Sequence, residues 1–154
     1  MDRQIMDLDV REILRAKGEP FQDIMKAVTH VGQTNVFQLH ATFLPEPLFR
    51  VLGKLGFGHV VAKYAEDYYA VQFCREKSDK PVFYSDLRGL STEEATARTE
   101  SLLPAIVDFD NGKVVIELWL KEYIQSMQDV FVQKQVHGTE VGKENGYVRV
   151  QITK

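Results

Sequence analysis

The sequence is short of several residues on which recognisable classes of protein depend. Of its 154 residues, one is cysteine, one is tryptophan and five are proline. A single cysteine excludes a disulfide framework and a metal site made of cysteines alone. No apolar run approaches the ~20 residues of a membrane span, and the N-terminus lacks the basic-then-apolar order of a signal peptide. We therefore expect a soluble cytoplasmic protein without a membrane partner.

An excess of positive charge is also missing. Nineteen lysines and arginines face 22 aspartates and glutamates, which gives a net charge of −3. A nucleic-acid partner is therefore not expected, since phosphate contacts require a basic surface. Phosphate-binding loops, nucleotide-binding glycine motifs, nucleophile elbows and zinc-protease motifs are absent as well. These absences favour a non-enzymatic protein with no cofactor and no metal site, although they leave enzymatic activity open.

What the sequence does contain is a loose internal repeat. Hydrophobic residues make up 44% and charged residues 27%, as in globular domains. Three segments recur in the same order, at offsets of 77, 79 and 79 residues: 8–11 with 85–88, 36–39 with 115–118, and 68–73 with 147–152. The repeat predicts two units, residues 1–76 and 77–154, joined by a polar linker over residues 75–80.

Each half shows the same order of elements: strand, helix, strand, helix and a hairpin. Proline suits the first turn of a helix, so Pro20 marks a helix start. Ser91 and Glu94 have the spacing of a capping box, and Asn145-Gly146 is a strong hairpin signal. With both helices on one side of the sheet, each half is predicted to be a two-layer α/β sandwich.

The other face of each predicted sheet is not covered by helices. Because side chains alternate along a strand, this face carries Gln38, His40, Tyr68 and Gln72 in the first half. Such a mixed face could be exposed to solvent, packed against the other half, or used to bind a ligand.

Four separated motifs in the first half carry a family resemblance. They are residues 8–12 (LDVRE), 18–21 (GEPF), 43–48 (FLPEPL) and 55–57 (LGF). In this order they resemble an uncharacterised bacterial domain family related to TusA-type sulfur carriers. The resemblance covers about residues 8–73, and the second half shares only residues 86–90 clearly. It implies α+β architecture: two tandem, TusA-like β-α-β-α-β-β sandwiches, each with a mixed four-stranded sheet and two helices.

The resemblance also bears on function. Relatives occur alone, in tandem or joined to haemerythrin-like di-iron domains, which implies a redox-linked or metal-linked accessory role. True sulfur carriers have a Cys-Pro-x-Pro motif at the first helix start, where the helix stabilises a thiolate. Here residues 17–20 (KGEP) and 92–95 (TEEA) take that place, without sulfur, and Cys74 falls at the end of a strand. We therefore expect a non-enzymatic accessory or binding protein; the alternative is a sulfur-transfer or redox component that uses Cys74.

Five residues are candidates for binding a partner protein or a small ligand: Arg11, Lys17, Glu19, His40 and Tyr68. Arg11 follows an aspartate by two residues, which favours a structural ion pair over anion binding. Lys17 lies at a predicted helix start, where a small anion would fit, although Glu19 beside it opposes this. His40 shares its face with Tyr68, and a metal carrier centred on His40 is a third possibility. A homodimer is also possible.

Overall fold

The computed structural model describes residues 3–76 and 79–154, and the chain divides into two compact units between Asp79 and Lys80. The predicted boundary after residue 76 adjoins Lys77 and Ser78 of the predicted linker, and these two lie outside the described residues. The first unit contains β1 (Ile5–Asp9), α1 (Arg11–Arg15), α2 (Phe21–Val28), β2 (Val36–Ala41), α3 (Glu46–Lys54), β3 (Gly58–Ala65) and β4 (Tyr68–Cys74). The second contains β5 (Val82–Asp86), α4 (Thr92–Leu102), β6 (Val115–Leu120), α5 (Gln125–Gln133), β7 (His137–Glu144) and β8 (Tyr147–Thr153).

Both sheets have the same mixed topology. The strand order is β1-β2-β4-β3 in the first unit and β5-β6-β8-β7 in the second. The first pair of each sheet is parallel and the other two pairs are antiparallel. The predicted α+β class, with two sandwich units that each hold a mixed four-stranded sheet, is thus confirmed.

One face of the first sheet forms the core with its helices, as the alternation of side chains predicts. Phe37 and Leu39 of β2 and Phe73 of β4 pack there, with Ile24 of α2 and Leu52 of α3. All five are at most 5% exposed. Burial of a side chain of this size stabilises the fold by about 1.5–3 kcal/mol.

Local signals in the sequence account for several element boundaries. Pro20 immediately precedes α2 and accepts a hydrogen bond from Ile24 N–H at 2.9 Å. Ser91 Oγ accepts from Glu94 N–H at the start of α4, so the predicted capping box is present. Gly146 adopts a φ of 89° in the turn between β7 and β8, which glycine tolerates without strain. Within the described residues, no helix is long and apolar enough to cross a membrane.

The short helix α1 was not predicted. It follows β1 directly and puts Leu14 against the core, with Leu14 N–H donating to Val10 O at 3.0 Å. Five residues are too few for a periodic apolar pattern to be recognised. The chain then turns sharply at Gly18, where a Cβ would lie 2.9 Å from Ile13 Cγ2. The first unit therefore holds three helices, not the predicted two.

Gly138 on β7 marks a close approach to helix α5 in the second unit. A Cβ at this position would lie 2.5 Å from the ring of Phe131 and 2.6 Å from the hydroxyl of Tyr123. Phe131 is buried. The glycine is therefore needed for packing, because any side chain would have to displace a core aromatic ring.

Candidate functional site

Two of the predicted site residues, His40 and Tyr68, are joined by a hydrogen bond. His40 Nδ1 lies 2.9 Å from Tyr68 Oη, and His40 Nε2 lies 2.6 Å from Asp7 Oδ1. The register explains the contact, since β1 and β4 both flank β2 and Asp9 and Ala70 stand beside His40. Alternation then brings side chains of all three strands to the same face. We call Asp7, Asp9, Arg11, His40 and Tyr68 the His40 cluster.

The partners of His40 define its protonation pattern. An ionised carboxylate only accepts hydrogen bonds, so Nε2 carries the proton that points at Asp7. In the neutral ring Nδ1 then accepts from the Tyr68 hydroxyl; in the charged ring it donates to that oxygen. The chain from Asp7 to Tyr68 is a short hydrogen-bond relay.

Arg11 closes the cluster from above the tyrosine ring. Its guanidinium carbon lies 4.0 Å from the ring centroid of Tyr68, in cation–π geometry. Its Nε and Nη2 both bond to Asp9, the shortest contact being 2.6 Å. The hydrogen bonds from Arg11 hold the pKa of Asp9 at about 2, well below its ordinary value. The predicted ion pair is therefore present, and it fixes Arg11 over the ring.

The charge of the cluster is net negative. Burial raises the pKa of Asp7, but hydrogen bonds from His40 and Gln38 outweigh burial, and the pKa lies below its ordinary value. The Asp7 side chain is 54% exposed, so the cluster has an accessible acidic end. Asp67 also acts on Arg11 electrostatically, so Arg11 interacts with two carboxylates, those of Asp9 and Asp67. Within the part of the chain that the structure describes, no group of three or more potential ligands stands ready for a metal ion.

Lys17 and Glu19 have other surroundings. Glu19 Oε1 accepts a hydrogen bond from Phe21 N–H at 2.9 Å, at the start of α2. A carboxylate thus already occupies a donor that an anion would need. Lys17 is exposed, with a φ of 60° directly after α1. Among the residues that the structure describes, no hydrogen bond or ion pair joins either side chain to the His40 cluster, so the structure does not bring the five candidates together.

Cys74 ends β4, six residues beyond Tyr68, which is about 20 Å along an extended strand. It is half-buried, and burial raises the pKa of its thiol although Arg3 lowers it. The thiol form is thereby favoured over the nucleophilic thiolate.

The second unit repeats part of the cluster with different chemistry. Arg88 pairs with Asp86 at 2.7 Å and lies 4.6 Å from the ring centroid of Tyr147, as Arg11 does with Asp9 and Tyr68. Trp119 stands beside Asp86, at the place that His40 has beside Asp9. The relay is therefore lost in the second unit, while the arginine over the tyrosine is kept.

A buried carboxylate replaces the relay there. Glu117 accepts from Trp119 Nε1 at 2.9 Å, from Arg149 at 3.2 Å and from Gln151 at 2.9 Å. Burial raises the pKa of Glu117, but the bonds from Arg149, Gln151 and Trp119 outweigh it and lower the pKa. Its oxygens are thus satisfied internally, as expected of a structural group.

The first unit is also the one that a family comparison recognises. Residues 7–75 match the family model of an uncharacterized conserved protein, DUF2249. The match begins at Asp7 and runs past Cys74, so it contains the whole His40 cluster. It supports an uncharacterised domain family over the span in which the four motifs were found. Searches of the curated proteins and of the solved structures gave no match.

Sequence reasoning missed Asp7 and the Glu117 network. A signal for Asp7 was available. Asp7 and Asp9 are two residues apart and so lie on one face of β1, as Gln38 and His40 do on β2. Only the parallel register, however, shows that Asp7 stands beside Gln38. Alternation along β6 and β8 predicts Glu117, Trp119, Arg149 and Gln151 on one face, but the burial of the carboxylate and its bonds follow only from the register of the two strands.

Proposed function

We propose that this chain is a non-enzymatic, cytoplasmic accessory protein that binds a partner protein or a small ligand at the His40 cluster. The observation that carries the proposal is the relay from Asp7 through His40 to Tyr68, with Arg11 held over the tyrosine ring. The relay ends at a half-exposed carboxylate. A partner group placed at Asp7 is therefore linked by hydrogen bonds to His40 and Tyr68.

The charge of the cluster indicates the chemistry of its ligand. The carboxylates of Asp7 and Asp9 outnumber the single guanidinium of the cluster, that of Arg11, which Asp9 already engages. Asp67 adds a further negative charge near Arg11. An anion would meet net repulsion, whereas an arginine or lysine side chain would meet a carboxylate at Asp7. Guanidinium–carboxylate pairs are often bidentate, which adds geometric selectivity to the charge attraction. We propose that the group recognised is basic.

The fold supports a relationship to the TusA-like carriers and a tandem origin of the two units. Both units have the mixed sheet that the resemblance implies, and the second unit also has its element order, to which the first unit adds α1. Asp9, Arg11 and Tyr68 also have counterparts of the same type in Asp86, Arg88 and Tyr147. A link to a redox or metal pathway rests on the resemblance alone. The partner protein proposed here includes a second copy of this chain, which would form a homodimer.

Sulfur transfer through Cys74 receives no support from the geometry. Burial favours the protonated thiol, and Cys74 lies at the opposite end of β4 from Tyr68. Residues 17–20 and 92–95 hold no cysteine at the helix starts. The function proposed therefore uses the relay and does not use the thiol.

The experiment is affinity capture from native extract, with the immobilised full chain as bait and mass spectrometry as readout. Asp7→Asn and His40→Gln are compared with wild type, and Asp86→Asn is the control, since it removes a carboxylate from the second unit. We expect the partner to be retained by wild type and D86N, and to fall at least tenfold with D7N and H40Q. Equal capture by all four proteins would contradict the proposal. A melting curve for each variant verifies that it is folded.

A further inference from the structure

The second unit contains a cavity at the carboxyl ends of its parallel strands, remote in sequence from the His40 cluster. Its volume is about 210 Å³. The connection after β5, the first turn of α4, the connection after β6 and the first turn of α5 form its walls. The lining is mixed: it includes the apolar residues Leu87, Leu120 and Met127 and the polar residues Ser91, Thr92 and Lys121.

A comparison of the two units explains why the cavity exists. Leu87 N–H donates to Trp119 O at 2.9 Å, and Val10 N–H donates to His40 O at 3.0 Å, so Leu87 is the counterpart of Val10. In the first unit, residues 10–20 connect β1 to α2. In the second unit, only residues 87–91 connect β5 to α4. The shorter connection has no counterpart of α1. In the first unit α1 contacts β2 and brings Leu14 to the core.

The walls of the cavity are well defined. Leu87, Leu120 and Met127 are each at most 2% exposed, and Ala95 is buried on α4. The capping box fixes the first turn of α4 beside the opening, because Ser91 Oγ donates to Glu94 Oε1 at 2.9 Å and accepts from Glu94 N–H. A pocket built from such side chains is largely formed before a ligand enters.

The size and the charges of the cavity determine the class of ligand. An apolar cavity of ~150 Å³ is large enough to hold benzene, so this one accommodates a single ring with a short substituent. Lys121 and Glu122 are the charged residues of the lining, and they have opposite signs. Glu93 and Glu94 in the first turn of α4 further disfavour an anion. A neutral molecule meets no charge repulsion, and its binding does not require the costly transfer of a charge from water into the cavity.

From this geometry we propose that the second unit binds a small neutral molecule with one apolar ring and a hydroxyl or carbonyl group. The ring lies against Leu87, Leu120 and Met127, which form the floor of the cavity. The polar group remains at the opening, within reach of the Thr92 hydroxyl and of solvent. The site is separate from the His40 cluster and does not depend on the function proposed for it.

The test is a titration of the full chain with three probes that share a ring: benzyl alcohol, phenylacetate and phenethylamine. NMR of the Met127 methyl group and of leucine methyl groups reports occupancy. We expect saturable shifts with benzyl alcohol, and intermolecular contacts between its ring protons and the Met127 methyl. The two charged probes should bind at least threefold more weakly. Saturation by a charged probe alone, or by none of the three, would overturn the proposal.

Two variants of helix α4 test whether the probe binds in this cavity. Ala95→Leu fills the cavity, whereas Ala97→Leu adds the same group to an exposed position on α4. A95L should weaken benzyl alcohol binding at least tenfold, and A97L should leave it within twofold of wild type. Similar affinities for the two variants would place the probe elsewhere and refute the site. If A95L does not fold, the contacts to Met127 in wild type decide the question alone.

Discussion

Removal of the Arg149 guanidinium should destabilise the second unit more than neutralisation of its partner Glu117. Glu117 is 1% exposed, and Arg149→Met would leave its carboxylate with only the neutral donors Trp119 and Gln151. Breaking a buried ion pair costs ~3–5 kcal/mol. The Arg149 side chain is 29% exposed and two donors remain, so we expect the low end of that range, about 3 kcal/mol at pH 7.

The conservative substitution Glu117→Gln removes the buried charge itself. Arg149 then retains partial hydration and its contact with Glu144 at 3.6 Å. Trp119, Arg149 and Gln151 all donate to the oxygens of Glu117, so the new amide NH₂ faces donors and the loss is about 1–2 kcal/mol. The order of the two variants is therefore the informative quantity.

The pH dependence has a defined sign. The folded-state pKa of Glu117 lies below its unfolded value, so its stabilisation is present above ~4.3 and is lost as pH falls through the folded pKa. Without Arg149, burial dominates and raises the folded-state pKa above the unfolded value. The deficit of R149M relative to wild type should then be full at pH 7 and shrink as pH falls towards 4.5.

Urea denaturation of the full chain at pH 7 and pH 4.5 measures these differences. Lys143→Met is the matched control, because it removes an exposed cation from β7; its cost should stay below about 0.5 kcal/mol. The reasoning fails if R149M is as stable as E117Q at pH 7, or if its deficit grows at the lower pH.

Three further predictions concern single positions. Asp9→Asn should cost at most about 1 kcal/mol at pH 7, because the pair with Arg11 is well exposed and screened; the difference from wild type in urea denaturation should disappear near pH 2, where Asp9 itself titrates. Cys74 should react with iodoacetamide more slowly at pH 7.5 than a free thiol does, and faster as pH rises, since burial raises its pKa; a rate above that of free cysteine would contradict this. Gly138→Ala should cost about 1–3 kcal/mol through overpacking, whereas Gly53→Ala, with open space around its Cβ, should stabilise α3 by about 0.4–1 kcal/mol; thermal melts that rank these two alanine variants the other way would refute the packing argument.

The sequence was a good guide wherever a local signal determined a local structure. Pro20, the Ser91–Glu94 pair and Asn145-Gly146 each marked an element boundary that the structure confirms. The alternation along β2 correctly separated the buried Phe37 from the polar His40. In each case the physical cause acts over a few residues, and the pattern is therefore readable without knowledge of the fold.

Features that depend on register were not readable in this way. The bond from His40 to Asp7 joins residues 33 positions apart, and it exists because β1 lies parallel to β2. Helix α1 is too short to show a period, and the second unit has no counterpart of it between β5 and α4. The candidate Glu19 had the right charge for a helix start, but its carboxylate caps α2 and lies outside the cluster.

The central claim is that the His40 cluster recognises a basic group. The most direct measurement is a titration of the full chain with the blocked tripeptides Ac-Ala-Arg-Ala-NH₂ and Ac-Ala-Glu-Ala-NH₂, followed through the ring signals of His40 and Tyr68 by NMR. The arginine peptide should shift both rings in a saturable manner that weakens with salt, and Asp7→Asn should abolish the effect. Shifts with the glutamate peptide only, or with neither peptide, would contradict the account.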